Sequence, residues 1–104
     1  MIDYKIGDKN YKLLVADNKS KWQKGLMFYK SKKELKGADG MIFIFPNKDY
    51  RSFWNDNTYL DLKIYWLVDD KIVKEDKLPS ILKTKEIYII NSPVPVDKVI
   101  EIVE

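Results

Sequence analysis

The chain has 104 residues, 45% of them apolar and 13% aromatic, with 19 Lys and Arg against 16 Asp and Glu and neither Cys nor His. This is a globular composition, and at this length one domain with one core is expected. The missing residues exclude disulfides, thiolate nucleophiles, cysteine-ligated zinc and histidine relays, and leave no side chain that titrates near neutrality unless its surroundings force it to.

Residues 11–16 read as a strand that pairs across the turn at residues 7–10 with residues near Tyr4. Asp17 or Asn18 can cap a short helix running to Lys24, where Gly25 supplies the left-handed stop. Trp22 and Leu26 lie four apart on the face that anchors this helix to the core. Between Lys19 and Lys36 seven lysines accompany a single acid, Glu34, so that segment carries +6 and the rest of the chain −3. A solvated lysine-rich surface is the expected reading. A nucleic-acid partner is not expected, because bidentate base readout favours arginine and Arg51 is the only one.

Residues 41–45 are apolar at every position, as a strand covered on both faces must be. A second strand is expected from Arg51 to Asn55, followed by turn chemistry at residues 56–58. Phe53 and Trp54 are adjacent on it, so only one ring can enter a given core. The clearest period-2 signal comes next, with Leu60, Leu62, Ile64, Trp66 and Val68 on one face and Asp61, Lys63 and Tyr65 on the other. Asp69-Asp70 turns the chain into residues 71–74; Pro79 opens a loop, and residues 87–90 and 99–103 are late strands. The expected fold is mainly β (β-rich α+β), a small and mostly antiparallel sheet or barrel with one short helix. Residues 1–5 contain no signal-peptide core, and no run approaches the ~18 apolar residues of a membrane span, so as written the chain reads as soluble and cytoplasmic.

Three ordered segments carry a family resemblance: Gly25-Leu26-Met27, then residues 40–45 (Gly-Met-Ile-Phe-Ile-Phe), then residues 53–58 (Phe-Trp-Asn-Asp-Asn-Thr). Together they resemble the signature of the domain of unknown function 192 family. The resemblance implies a small β-rich prokaryotic domain, often exported or lipid-anchored in relatives, and it brings no activity, substrate or cofactor. It also implies structural roles for Gly25, Leu26, Met27, Gly40, Met41, Phe43, Phe53, Asn57 and Thr58. The chain departs from the pattern where Asp56 replaces the family's Lys and Lys63 its Asp. That exchange suggests an ion pair between Asp56 and Lys63 across two strands, its charges swapped.

Candidate chemistry is sparse. The outer face of the long strand, with Trp54, Asp56 and Asn57 nearby, presents Tyr59, Asp61, Lys63 and Tyr65. Aromatics that flank a carboxylate and an ammonium can stack a sugar ring and bond its hydroxyls. A non-catalytic binding module for a small molecule or glycan is therefore the first functional reading. A protein-interaction or structural module, using a sheet edge or the Lys-rich face, is the alternative. Asn55, Asp56, Asn57 and Asp61 could offer oxygens to Ca²⁺ but lack the Gly and terminal Glu of a dedicated loop, so no metal and no cofactor is expected. An enzyme would need carboxylates, Lys or Tyr strongly perturbed in a cleft, and no catalytic residue can be named from sequence.

Overall fold

The computed structural model describes residues 1–104. In chain order it contains β1 (Ile2–Ile6), β2 (Lys9–Ala16), α1 (Lys19–Lys24), a 3₁₀ turn (Lys32–Leu35), β3 (Gly40–Asp49), β4 (Ser52–Trp54), β5 (Leu62–Val68), β6 (Lys71–Leu78), α2 (Ile81–Thr84), β7 (Ile89–Asn91) and β8 (Val96–Val103). Six strands form one sheet in the order β1-β2-β3-β8-β5-β6, and β4 pairs with β7 in a separate two-stranded ribbon. All pairings are antiparallel except β2 with β3, whose parallel register the chain reaches by crossing through α1 and the 3₁₀ turn. The result is the expected β-rich α+β fold.

Several local expectations need correction. The sheet does not close into a barrel, because β1 and β6 remain its two ends. The outer strand β6 is rich in charge (Lys71, Lys74, Glu75, Asp76, Lys77), which suits an edge facing water rather than another strand. There are two short helices rather than one. The second begins where the Ser80 hydroxyl accepts from the Leu82 amide at 3.1 Å, a cap that sits directly behind the expected Pro79 break. The strand foreseen from Arg51 to Asn55 shortens to Ser52–Trp54, since both end residues spend their polar groups on other segments.

Helix α1 forms as its sequence suggests. The Asn18 side chain accepts from the Lys21 amide at 3.0 Å, and Gly25 ends the helix at φ 49° and ψ −131°, a region that side chains strongly disfavour. Trp22 packs inward and donates from Nε1 to the carbonyls of Ala16 (2.9 Å) and Ile44 (3.1 Å), which ties α1 to β2 and β3. At the other tight turn, Asp69 and Asp70 both take positive φ (48° and 65°), as a two-residue hairpin between β5 and β6 requires.

The sheet is apolar on both faces, and the alternation sorts its residues. One face carries a cluster that includes Ala16, Met41, Phe43, Leu62, Ile64, Trp66 and Val99, covered by Leu26, Leu35, Ala38, Leu60 and Ile90 from the loops and the β4–β7 ribbon. The other face carries Leu13, Ile42, Tyr65, Leu67, Ile100 and Ile102, with Tyr4, Ile6, Tyr11 and Ile44 packed against them. Residues 41–45 thus feed two cores in alternation, which explains their unbroken apolarity.

Candidate functional site

Strand β8 alternates between the two cores: Ile100 and Ile102 face one, Val99 and Val103 the other. Glu101 falls between the two valines, on the face of the larger core. In register it lies beside Met41 of β3 and Ile64 of β5, so its strand neighbours are apolar on both sides. It is 4% exposed, and its carboxylate has neither an ion-pair partner nor a hydrogen bond from the chain. Loss of hydration pushes its pKa up to about 8. At neutral pH most of this carboxyl is a neutral acid, able to donate one O–H and to accept at its other oxygen.

The carboxyl faces a cleft of about 660 Å³ between α1, β3 and β4. Trp22, Gln23, Gly25, Leu26 and Met27 form one wall, Phe43 and Phe45 line the sheet side, and Phe53, Trp54 and Thr58 form the opposite wall. Lys19, Lys24, Tyr50, Arg51 and Ser52 complete the lining. The rings brace one another: Trp22 lies 5.2 Å from Phe45, Phe43 meets Phe53 edge-on at 5.0 Å, and Phe53 meets Trp66 edge-on at 5.6 Å. Trp54, on the opposite side of its strand from Phe53, is 50% exposed. The Arg51 guanidinium lies 3.7 Å above the Phe45 ring and donates to the Asn47 carbonyl at 2.7 Å. Gly25 is narrowly constrained, since a Cβ there would come within 3.2 Å of Phe43 Cζ and 3.7 Å of Glu101 Oε1. At Gly40 the limit is absolute, because a Cβ would overlap the Glu101 carbonyl oxygen at 1.8 Å.

The sequence-derived candidates distribute unevenly. Of the seven candidate binding residues, Trp54 lines the cleft. Asp61 accepts from the Ser80 amide at 2.9 Å and from Lys83, and these bonds hold its pKa below the usual carboxylate range. Lys63 pairs with Glu75 at 3.3 Å and lies over the Tyr65 ring; no ion pair joins it to Asp56, so the proposed charge-swapped bridge does not form. Tyr65 is buried in the second core, and the Tyr59 carbonyl receives the Ser80 hydroxyl at 2.8 Å. Asp56 accepts through its carbonyl from the Thr58 hydroxyl, and Asn57 holds the turn at φ 52°. Asn55 is fully buried: its amide donates to the Pro79 carbonyl and the Thr84 hydroxyl, and its oxygen accepts from the Tyr88 amide.

By contrast, six of the residues marked by the family resemblance line the cleft: Gly25, Leu26, Met27, Phe43, Phe53 and Thr58. Glu101, Phe45 and Arg51 also line the cleft, and the sequence motifs do not mark them as site residues. The signal for Glu101 was present in the sequence, as one acid at the centre of five otherwise apolar strand residues.

These features define a small β-rich domain that carries an aromatic-walled cleft with a buried acid. The family model of domain of unknown function 192, described as uncharacterized ACR, matches residues 2–104, and the chain belongs to that family. The fold is similar to the crystal structure of a protein of unknown function from Novosphingobium aromaticivorans, with a TM-score of 0.75, 23% identity, and coverage of 90% of this chain and 64% of that one. It is also similar to a proposed transcription regulator from Sinorhizobium meliloti, with a TM-score of 0.67, 25% identity, and coverage of 91% and 70%. The chain therefore spans just under two thirds of the first relative's length. No curated protein matches it. No helix is long and apolar enough to cross a membrane.

Proposed function

We propose that this protein is a binding module for a small organic molecule, held in the cleft between α1, β3 and β4. The observation that carries the reading is the union of a 660 Å³ aromatic-walled cleft with an unpartnered buried carboxyl among its lining groups. Clefts of this size suit small ligands, and a few polar groups in an apolar lining are what orient them. Convergence of Gly25, Leu26 and Met27, of Phe43, and of Phe53 and Thr58 on one cavity supports it further, because distant segments then share one wall. Glycan stacking on Trp54 is the second form the ligand can take, as this ring is half exposed at the cleft.

The test is an amide NMR titration of the labelled protein against small organic acids, amines, neutral aromatics, glycans and nucleotides. Shifts centred on Gly25, Phe53 and Trp54, and reduced at least tenfold in affinity by Trp54→Ala, are expected. Shifts confined to Lys63 and its neighbours, or no shifts at all, would overturn the reading.

One observation favours an interaction module instead. Ile87, Tyr88 and Ile89 are exposed together, and Ile89 pairs in register with the exposed Trp54. A partner that binds through this strip would lose affinity on Ile89→Lys while small-molecule binding in the cleft persists.

A further inference from the structure

The cleft is chemically asymmetric. Its inner acid lies on β8 in a row of apolar neighbours, whereas every cation that lines it, Lys19, Lys24 and Arg51, belongs to α1 or to the segment between β3 and β4. None of the three comes within 4.0 Å of a Glu101 oxygen, so the acid and the cations are separate features of the site. Lys19 forms no ion pair with any acid of the chain. Arg51 is already turned onto Phe45 and bonded to Asn47, which fixes its guanidinium as part of the wall.

Resting on the reading of the cleft as a binding site, we propose that its ligand is an organic anion with an apolar body, seated with a hydrogen-bond-accepting oxygen on the Glu101 carboxyl and its negative end toward Lys19, Lys24 and Arg51. Three arguments support this ligand over an amine. Three positive groups against one acid disfavour a cation at the entrance. A carboxyl meant to hold a ligand ammonium is ordinarily kept ionised by donors from the chain, and Glu101 has none. A neutral carboxylic acid in an apolar site is a strong donor to an oxygen acceptor, and water competes poorly with the ligand there. The ionisable groups that share the cleft with Glu101 are Lys19, Lys24, Arg51 and Tyr50. Burial raises the Glu101 carboxyl to about 8, so loss of its proton changes affinity across neutral and mildly alkaline pH.

The experiment uses four matched probes followed by amide NMR: para-acetylbenzoate, para-ethylbenzoate, acetophenone and para-acetylbenzylamine. Para-acetylbenzoate is expected to bind about tenfold more tightly than para-ethylbenzoate, which lacks the acceptor, and at least tenfold more tightly than the amine. Its affinity should fall as pH rises past 8. In Glu101→Gln, which keeps a donor but cannot titrate, binding should persist and lose this pH dependence; in Glu101→Leu the acetyl and ethyl probes should bind alike. A thermal melt of each variant verifies that it is folded. Preference for the amine, or equal binding of the acetyl and ethyl probes to the native protein, overturns this inference while leaving the cleft a binding site. Failure of all four probes to shift any cleft amide at millimolar concentration overturns both.

Discussion

Removing the charge option at Glu101 tests the account of the packing most directly. Desolvation alone moves this carboxyl from 4.5 to about 8. The folded protein therefore retains a proton over a pH range in which the unfolded chain has released it. For a carboxyl shifted upward, stability is fully present below the unfolded value and is lost as pH rises toward the folded one, with a limiting slope of about 1.4 kcal/mol per pH unit. Integrated between pH 5 and pH 8, the loss is roughly 3 kcal/mol, a large share of the ~5–15 kcal/mol that holds a small domain together. Glu101→Gln preserves the shape and abolishes the titration. Urea unfolding of both proteins at pH 5, 6.5 and 8 should show their difference widening by about 3 kcal/mol in favour of the Gln variant. Asp39 and Asp61 are both held below the ordinary carboxylate range, so they titrate alike in the two proteins and cancel from the comparison. Parallel stability profiles would refute the argument, because they would mean that the carboxyl is hydrated or paired in the folded protein.

Asn55→Ala should destabilise the fold by about 3 kcal/mol in chemical denaturation, since it removes a fully buried amide whose hydrogen bonds tie the end of β4 to Pro79, Thr84 and Tyr88. Gly25→Ala should cost about 2 kcal/mol and lower cleft affinity, because the residue must hold φ 49° and ψ −131° while its new methyl presses on Phe43 at 3.2 Å; unchanged melting would contradict this. Asp39 accepts from the Lys12 amide at 2.8 Å and pairs with Lys32 at 3.0 Å, which lowers its pKa. Asp39→Asn should therefore cost about 1 kcal/mol at pH 7, and the gap should close as pH falls through the native carboxyl's depressed pKa, read from acid titrations of both proteins.

Much of the fold was legible in the residues. The Asn18 cap, the Gly25 stop and the inward Trp22 follow from local chemistry, and all three are present. The alternation at residues 60–68 correctly assigned Leu62, Ile64 and Trp66 to the larger core. It does not reveal that the opposite face is also covered, so the alternation alone places Tyr65 on an outer face, whereas Tyr65 is buried with Leu13 and Ile100. That error has a physical cause: period 2 divides a strand into two faces, but how much apolar area the second face buries depends on where β1 and β2 lie, a long-range fact. The charge exchange at Asp56 and Lys63 failed for the same reason. Lys63 finds Glu75 on its hydrogen-bonded neighbour β6, whereas Asp56 sits in a turn outside the sheet.

The site was hidden in a different way. Each of its parts reads as an ordinary structural rule when taken alone: a glycine that ends a helix, a phenylalanine in a buried strand, a pair of rings on a short strand. Only the parallel return of β3 beside β2 brings α1 over the sheet, and only the β4–β7 ribbon brings Phe53 against Phe43. Glu101 is the one part that follows no structural rule. An apolar residue at that position would carry no such pH-dependent penalty, and it would continue the pattern of Val99 and Val103. A desolvated acid that weakens its own core therefore calls for a compensating contact, and the chain supplies none. A ligand oxygen in the cleft would supply it, so stability and binding become linked through a single proton. Bound ligand should then raise the Glu101 pKa further, and tight binding should carry the maximum of stability to higher pH.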